Sequence, residues 1–162
     1  MNPTSMSVTL TTTLACRAEA AWREVRTTRL FRHVAGPVLR FHPVAPPTFP
    51  EVWQEGRYLV GMRLFGVVPL GSQWIDITVT RAEAMPGAQR YELRDAGHSG
   101  LVRRWDHRIR IEENDRGQTR YTDLVIIEAG ALTPIVWGFA SLFFRHRQRR
   151  WRALAARGFI YG

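Results

Sequence analysis

Lysine is absent from this sequence: all 23 basic residues are arginine. Without a side-chain amine there is no Schiff-base lysine and no P-loop lysine, and chemistry that needs either is excluded. A GC-rich gene accounts for the same absence without any functional meaning. Cysteine is almost missing as well. With Cys16 alone, a disulfide framework and a cysteine-ligated zinc site are both excluded. The five histidines show no HxxxH or HExxH spacing, so no metal is expected. Long hydrophobic runs are lacking too. The longest, Pro134 to Phe144, falls far short of the roughly 18–20 residues that span a bilayer. The N-terminus carries no basic segment ahead of an apolar one, and the Leu14-Ala15-Cys16 string lacks the hydrophobic region of a lipoprotein signal. A cytoplasmic location is the expectation.

What is present points to a globular fold. Hydrophobic residues make up 45% of the chain and there are six tryptophans, which argues against disorder. At 162 residues, one domain over 1–162 is expected. The formal charge is +9.

The stretch around which the chain is organised is Leu132 to Gly158, read as one long helix. Thr133 suits an N-cap and Pro134 the first helical position, where a missing N–H costs nothing. Gly158 suits the residue after the last turn, and Arg157 complements the carbonyl end. At about 100° per residue, Val136, Phe139, Ala140, Phe143, Phe144, Trp151 and Leu154 form one stripe. Arg145, Gln148, Arg149 and Arg152 are placed opposite, and Arg147 interrupts the stripe. A helix of this kind needs a broad surface to lie on.

The rest of the chain supplies one. Ser7 to Cys16 alternates as a half-buried strand, and Ala18–Val25 and Arg29–Ala35 read as short helices. Val38 to Val44 reads as a short strand. Strands then follow over Arg57–Phe65, Gln73–Thr80, Gln89–Asp95, Leu101–Glu112 and Thr119–Ala129, with turns near Val68–Gly71, at Met85-Pro86-Gly87, over Gly97–Gly100 and at Asn114–Gly117. Short successive connections imply an antiparallel sheet with Arg104, Asp106, Arg108 and Arg110 on its solvent side. The fold expected is α+β: a seven-stranded curved antiparallel sheet around the long C-terminal helix, with two short helices after the first strand. Such a grip leaves a space suited to a ligand.

In this order of elements, and in WxHxIxIE at Trp105–Glu112, GxTRYTD at Gly117–Asp123 and the closing AGxLTP…FRHRQRRW segment, the chain resembles the START/polyketide-cyclase superfamily. This is the SRPBCC or birch-pollen-allergen-like helix-grip group, and the resemblance, to a bacterial member, runs from Val8 to Phe159. It implies an internal cavity that holds a lipid, polyketide or aromatic metabolite, with no cofactor. The superfamily includes carriers, cyclases and co-chaperone-like modules, so the fold does not by itself assign function.

Ligand contacts are expected from Tyr58, Val60, Met62, Ile75 and Ile77 on the middle strands. Arg103, Trp105 and His107 would add to them from the strand after Gly100, and Phe139, Phe143 and Arg147 from the helix. Arg147 should meet either a sheet carboxylate, the preferred partner, or a ligand's acid group. His107 with Asp123 on the adjoining strand is either a hydrogen-bonded pair that fixes the sheet or the general base of a polyketide cyclase or dehydratase. The third reading is a basic surface module meeting nucleic acid or anionic membrane through Arg145–Arg152, although no reader motif accompanies those arginines. Monomer and dimer are both left open.

Overall fold

The computed structural model describes residues 5–85 and 88–162. Strand β1 (Met6–Leu14) is followed by helices α1 (Ala18–Val25) and α2 (Thr28–Ala35). Six strands come next: β2 (Leu39–Ala45), β3 (Gly56–Leu64), β4 (Val68–Met85), β5 (Ala88–Ser99), β6 (Arg104–Glu113) and β7 (Thr119–Glu128). A 3-10 turn at Gly130–Leu132 leads into helix α3 (Thr133–Ala156). Helix α1 buries Ala18, Ala21, Trp22 and Val25, and α2 is capped by Thr27, whose side chain accepts the amide of Leu30.

The strands form one curved antiparallel sheet in the order β1-β7-β6-β5-β4-β3-β2. Strands β2 to β7 are a simple meander, whereas β1 closes onto β7 at the far edge. The connection from β1 to β2 must therefore reach from one edge of the sheet to the other, and α1 and α2 make that crossing. Helix α3, about 36 Å long at 1.5 Å per residue, lies in the concavity and packs on β1, β7 and α2. Its last turn ends as anticipated. Gly158 has φ +64, and the amides of Gly158 and Phe159 return to the carbonyls of Ala155 and Leu154.

Several expectations require correction. Strand β4 begins at Val68 and β5 continues to Ser99, so both outrun their periodic cores and the turn expected at Gly97–Gly100 begins later. The turn at Met85-Pro86-Gly87 lies partly outside the described residues. Thr133 is the first residue of α3, not its cap, and its hydroxyl donates to the Gly130 carbonyl while accepting the Ala129 amide. Asp106 sits on the outer face yet is only 2% exposed, because Arg94, Arg104 and Arg108 close over its carboxylate. Those three guanidiniums, Arg94 above all, hold its carboxyl well below the ordinary range.

Gln148 is the plainest departure. Expected on the polar side of α3, it is buried, since it follows Phe144 by one turn and precedes Trp151 by three residues. Its amide donates to the Leu10 carbonyl at 2.9 Å and to Asp123 Oδ2 at 2.9 Å.

Candidate functional site

The inner face of β6 and β7 carries a polar cluster in otherwise apolar surroundings. In the β6–β7 register Ile109 lies opposite Asp123, which puts His107 on the diagonal. The His107 Nε2 to Asp123 Oδ1 distance is 2.7 Å. Tyr121, two residues along β7, donates its hydroxyl to the same oxygen at 3.2 Å, and Gln148 reaches the other oxygen from α3. Every member is buried. Burial by itself would raise the Asp123 carboxyl. The bond from His107, the nearby charge of Arg147 and the bond from Gln148 outweigh it, and the group stays ionised with its pKa below the ordinary value. Burial drives His107 the other way, below its ordinary 6.5, against the pull of Asp123. The neutral imidazole therefore donates from Nε2 and carries its lone pair on Nδ1.

In front of this cluster is a cavity of about 270 Å³ between the sheet, α2 and α3. Its walls are mostly apolar and aromatic, with Phe31, Phe41 and Trp53 at one side and Trp105, Phe139 and Phe143 at the other. Leu70, Leu101, Leu132 and Phe139 line it and are also exposed, so they mark its mouth. The mouth lies where the first residues of β4 and the β5–β6 connection come near the start of α3.

Three ionisable groups interrupt this lining: Asp95, His107 and Arg147. Asp95 is directly opposite His107 in the β5–β6 register. Its Oδ1 accepts the backbone amide of Asp76 at 2.9 Å, from a stretch where β4 and β5 run between the pairs Trp74–His98 and Ile77–Asp95. Gly97 makes that approach feasible. A Cβ there would stand 2.5 Å from the Trp74 carbonyl oxygen, closer than any side chain tolerates. Burial pushes the Asp95 carboxyl up to about 8, and the Asp76 amide opposes this only in part. At neutral pH Asp95 is mainly a neutral acid.

Arg147 projects towards the grip, as its place on the helical stripe implied. The partner differs from the preferred expectation. Among the described residues no carboxylate lies within ion-pair distance of its guanidinium, and its buried Nε has no hydrogen-bond partner. Asp123 is already occupied by His107, Tyr121 and Gln148. The guanidinium instead lies over the rings of Phe144 and Phe143, with its carbon 5.0 Å and 5.9 Å from their centroids.

Of the other expected contacts, Val60, Met62, Ile75, Ile77, Trp105, Phe139 and Phe143 line the cavity. Tyr58 and Arg103 do not. Tyr58 turns its hydroxyl to the Gln54 carbonyl and packs edge-on to Trp53, while Arg103 is exposed in the β5–β6 connection. Sequence reasoning missed Phe31, Phe41, Trp53 and Asp95. The strict alternation Tyr91, Leu93, Asp95 was the available signal for the last of these, because it places an acid on a core face.

Sheet, helix and cavity together define a helix-grip fold. Solved structures share this fold at low identity. Protein Ms6760 from Mycobacterium smegmatis is 18% identical with a TM-score of 0.59, over 91% of this chain and 89% of its own. TTHA0849 from Thermus thermophilus is 10% identical with a TM-score of 0.59, over 94% and 99%. The structure of Ara h 8.0201 is 9% identical with a TM-score of 0.58, over 95% and 99%. By sequence, the chain belongs to the family described as a domain of unknown function (DUF8410), whose model matches residues 12–155. No curated protein matches it. Among the described residues no helix is long and apolar enough to cross a membrane.

Proposed function

We propose that this protein binds a hydrophobic small molecule inside the grip. The observation that carries this reading is the cavity of about 270 Å³ with aromatic and aliphatic walls and an apolar mouth. Its volume sits just under the usual range of ligand sites, roughly 300–1,000 Å³. A well-packed core leaves few voids larger than a water molecule, so a space of this size is not ordinary packing. Native mass spectrometry of the purified protein should reveal a bound small molecule. Titration with the uncharged probe N-phenyl-1-naphthylamine should give saturable fluorescence that Ile75→Trp, which fills the cavity, removes. Saturable binding unaffected by Ile75→Trp, or no binding at all, would overturn the reading.

His107 supports a second reading, as the base of a cyclase or dehydratase. It lines the cavity, is neutral, and is oriented by Asp123, the arrangement a general base needs. Turnover of a poly-β-carbonyl substrate that disappears in His107→Gln would establish it. Turnover equal to the buffer rate would leave His107 a structural residue.

A further inference from the structure

We infer that the ligand is an apolar monoacid whose carboxylate is received by Arg147. The inference rests on the cavity-binding reading and goes beyond it to the chemical class. A charged group in apolar surroundings is costly unless an opposite charge and hydrogen bonds answer it. Arg147 has no ion-pair partner and no hydrogen bond among the described residues; only the more distant charge of Asp123 and two phenylalanine rings offset it, and its buried Nε is unpartnered. The sheet places two acids in its vicinity, the protonated Asp95 and the ionised Asp123. Neither is bonded to it. Asp123 already takes three donors, and Asp95 takes the Asp76 amide.

An incoming anion would be repelled if Asp95 were ionised, since both line the same space. His107 from β6 lies directly opposite Asp95 and Arg147 from α3 acts on it across the cavity, while Asp76 and Asp106 act on it from the outer side of the sheet. Burial and the two neighbouring acids keep its proton in place. Asp95 thus presents an O–H in place of a negative charge, and donor and guanidinium can both serve a carboxylate. The remaining walls are apolar, which suits a single acid group with an aliphatic or aromatic body. Lysine could not replace this arrangement, because a planar guanidinium offers a carboxylate two parallel bonds and stacks on the Phe144 face.

The test is a matched pair of ligands, decanoic acid and its methyl ester, displacing N-phenyl-1-naphthylamine at neutral pH. A charge-assisted contact should make the acid bind about tenfold to a hundredfold more tightly than the ester. Arg147→Gln should erase that preference, so that acid and ester displace the probe equally in the variant. Asp95→Asn, which keeps a neutral donor, should retain the preference. Equal displacement by acid and ester in the wild type would overturn the proposal, as would a preference that survives Arg147→Gln. Should Arg147→Gln not fold, the wild-type ratio decides alone. A wild type that binds neither ligand nor probe would sink the cavity reading first, and the acid with it.

Discussion

Asp95 and Asp123 are both buried on the inner face of one sheet, on the two strands that flank β6, and they have opposite chemistry. Asp123 receives His107, Tyr121 and Gln148 and stays ionised. Asp95 receives one backbone amide and keeps its proton up to about 8. Burial acts on both in the same direction, so the number of donors decides the charge. The half of the interior built around Asp123 is closed and saturated. The half that contains Asp95 borders the cavity and has unused capacity, Arg147 included. One sheet therefore carries a structural polar cluster and a receptive one, separated by the width of β6.

The largest effect should come from breaking the saturated side. Asp123→Asn keeps the shape but sets an amide N–H₂ against groups that are themselves donors, and it removes the only anion in the cluster. Leaving buried donors unsatisfied costs about 1–3 kcal/mol each, and more where the lost acceptor was charged. Urea denaturation should show a lower midpoint at unchanged slope. A loss under about 1 kcal/mol would mean that the cluster does not hold the sheet.

Asp95→Asn should move stability the other way. The folded state holds this proton up to about 8, whereas the unfolded chain releases it near 3.8. Between those values folding must take up a proton, so the wild type loses stability as pH rises through the window. An asparagine has no such dependence and still accepts the Asp76 amide. The variant should equal wild type near pH 4 and exceed it by several kcal/mol at pH 8. Asp123 has the reverse sign: its folded pKa is depressed, so its contribution is present above about 4 and fades in stronger acid. His107 has a depressed folded pKa, so stability from it is lost as pH falls below 6.5. Subtracting variant from wild type at each pH cancels that shared slope. A difference that did not grow with pH would show that Asp95 is ionised in the folded protein.

Much of this contrast was legible in the sequence, and its limits are physical. Alternation with period two gave the strands and put His107 beside Asp123, because diagonal neighbours on adjacent antiparallel strands stay within reach across small register errors. The stripe of α3 marked Arg147 as out of place. Periodicity cannot say which acid an arginine meets, since Asp123 was free on paper and became occupied only when Gln148 arrived from the helix. Gln148 stands at the edge of the stripe, one turn after Phe144, where the helical angle alone does not say whether the sheet reaches it. The alternation Tyr91, Leu93, Asp95 marks Asp95 as an acid on a core face, but a lone acid in an alternating strand carries no mark of whether donors will reach it. The aromatic wall of Phe31, Phe41 and Trp53 depends on how α2 crosses between the sheet edges, and that is a tertiary fact.

Gln148→Leu sharpens the comparison at intermediate size. Leucine suits the helix and the core, but Asp123 Oδ2 and the Leu10 carbonyl each lose their bond from Gln148. Leaving such groups unpaired costs about 1–3 kcal/mol. Asp123 would then resemble Asp95 more closely, so the acid limb of the stability curve should begin at higher pH than in wild type. A neutral substitution would mean that His107 and Tyr121 suffice to saturate the carboxylate.

Tyr121→Phe should have the smallest effect of the series, and its size tests whether donors count singly or together. The Tyr121 hydroxyl shares Oδ1 with His107 and makes the longer bond, 3.2 Å against 2.7 Å. Removing it leaves that oxygen bonded and Oδ2 untouched. The ring can keep its edge-on contact with Trp151, at 6.0 Å between centroids, so little packing is lost. The expected cost is about 0.5–1.5 kcal/mol, the net worth of one hydrogen bond. Thermal unfolding at pH 7 and in acid separates two outcomes. If the three donors act independently, the variant loses a little at pH 7 and less where the pH is low enough to protonate Asp123. If they act as one network, the loss at pH 7 approaches that of Gln148→Leu, and a double mutant of the two falls short of the sum.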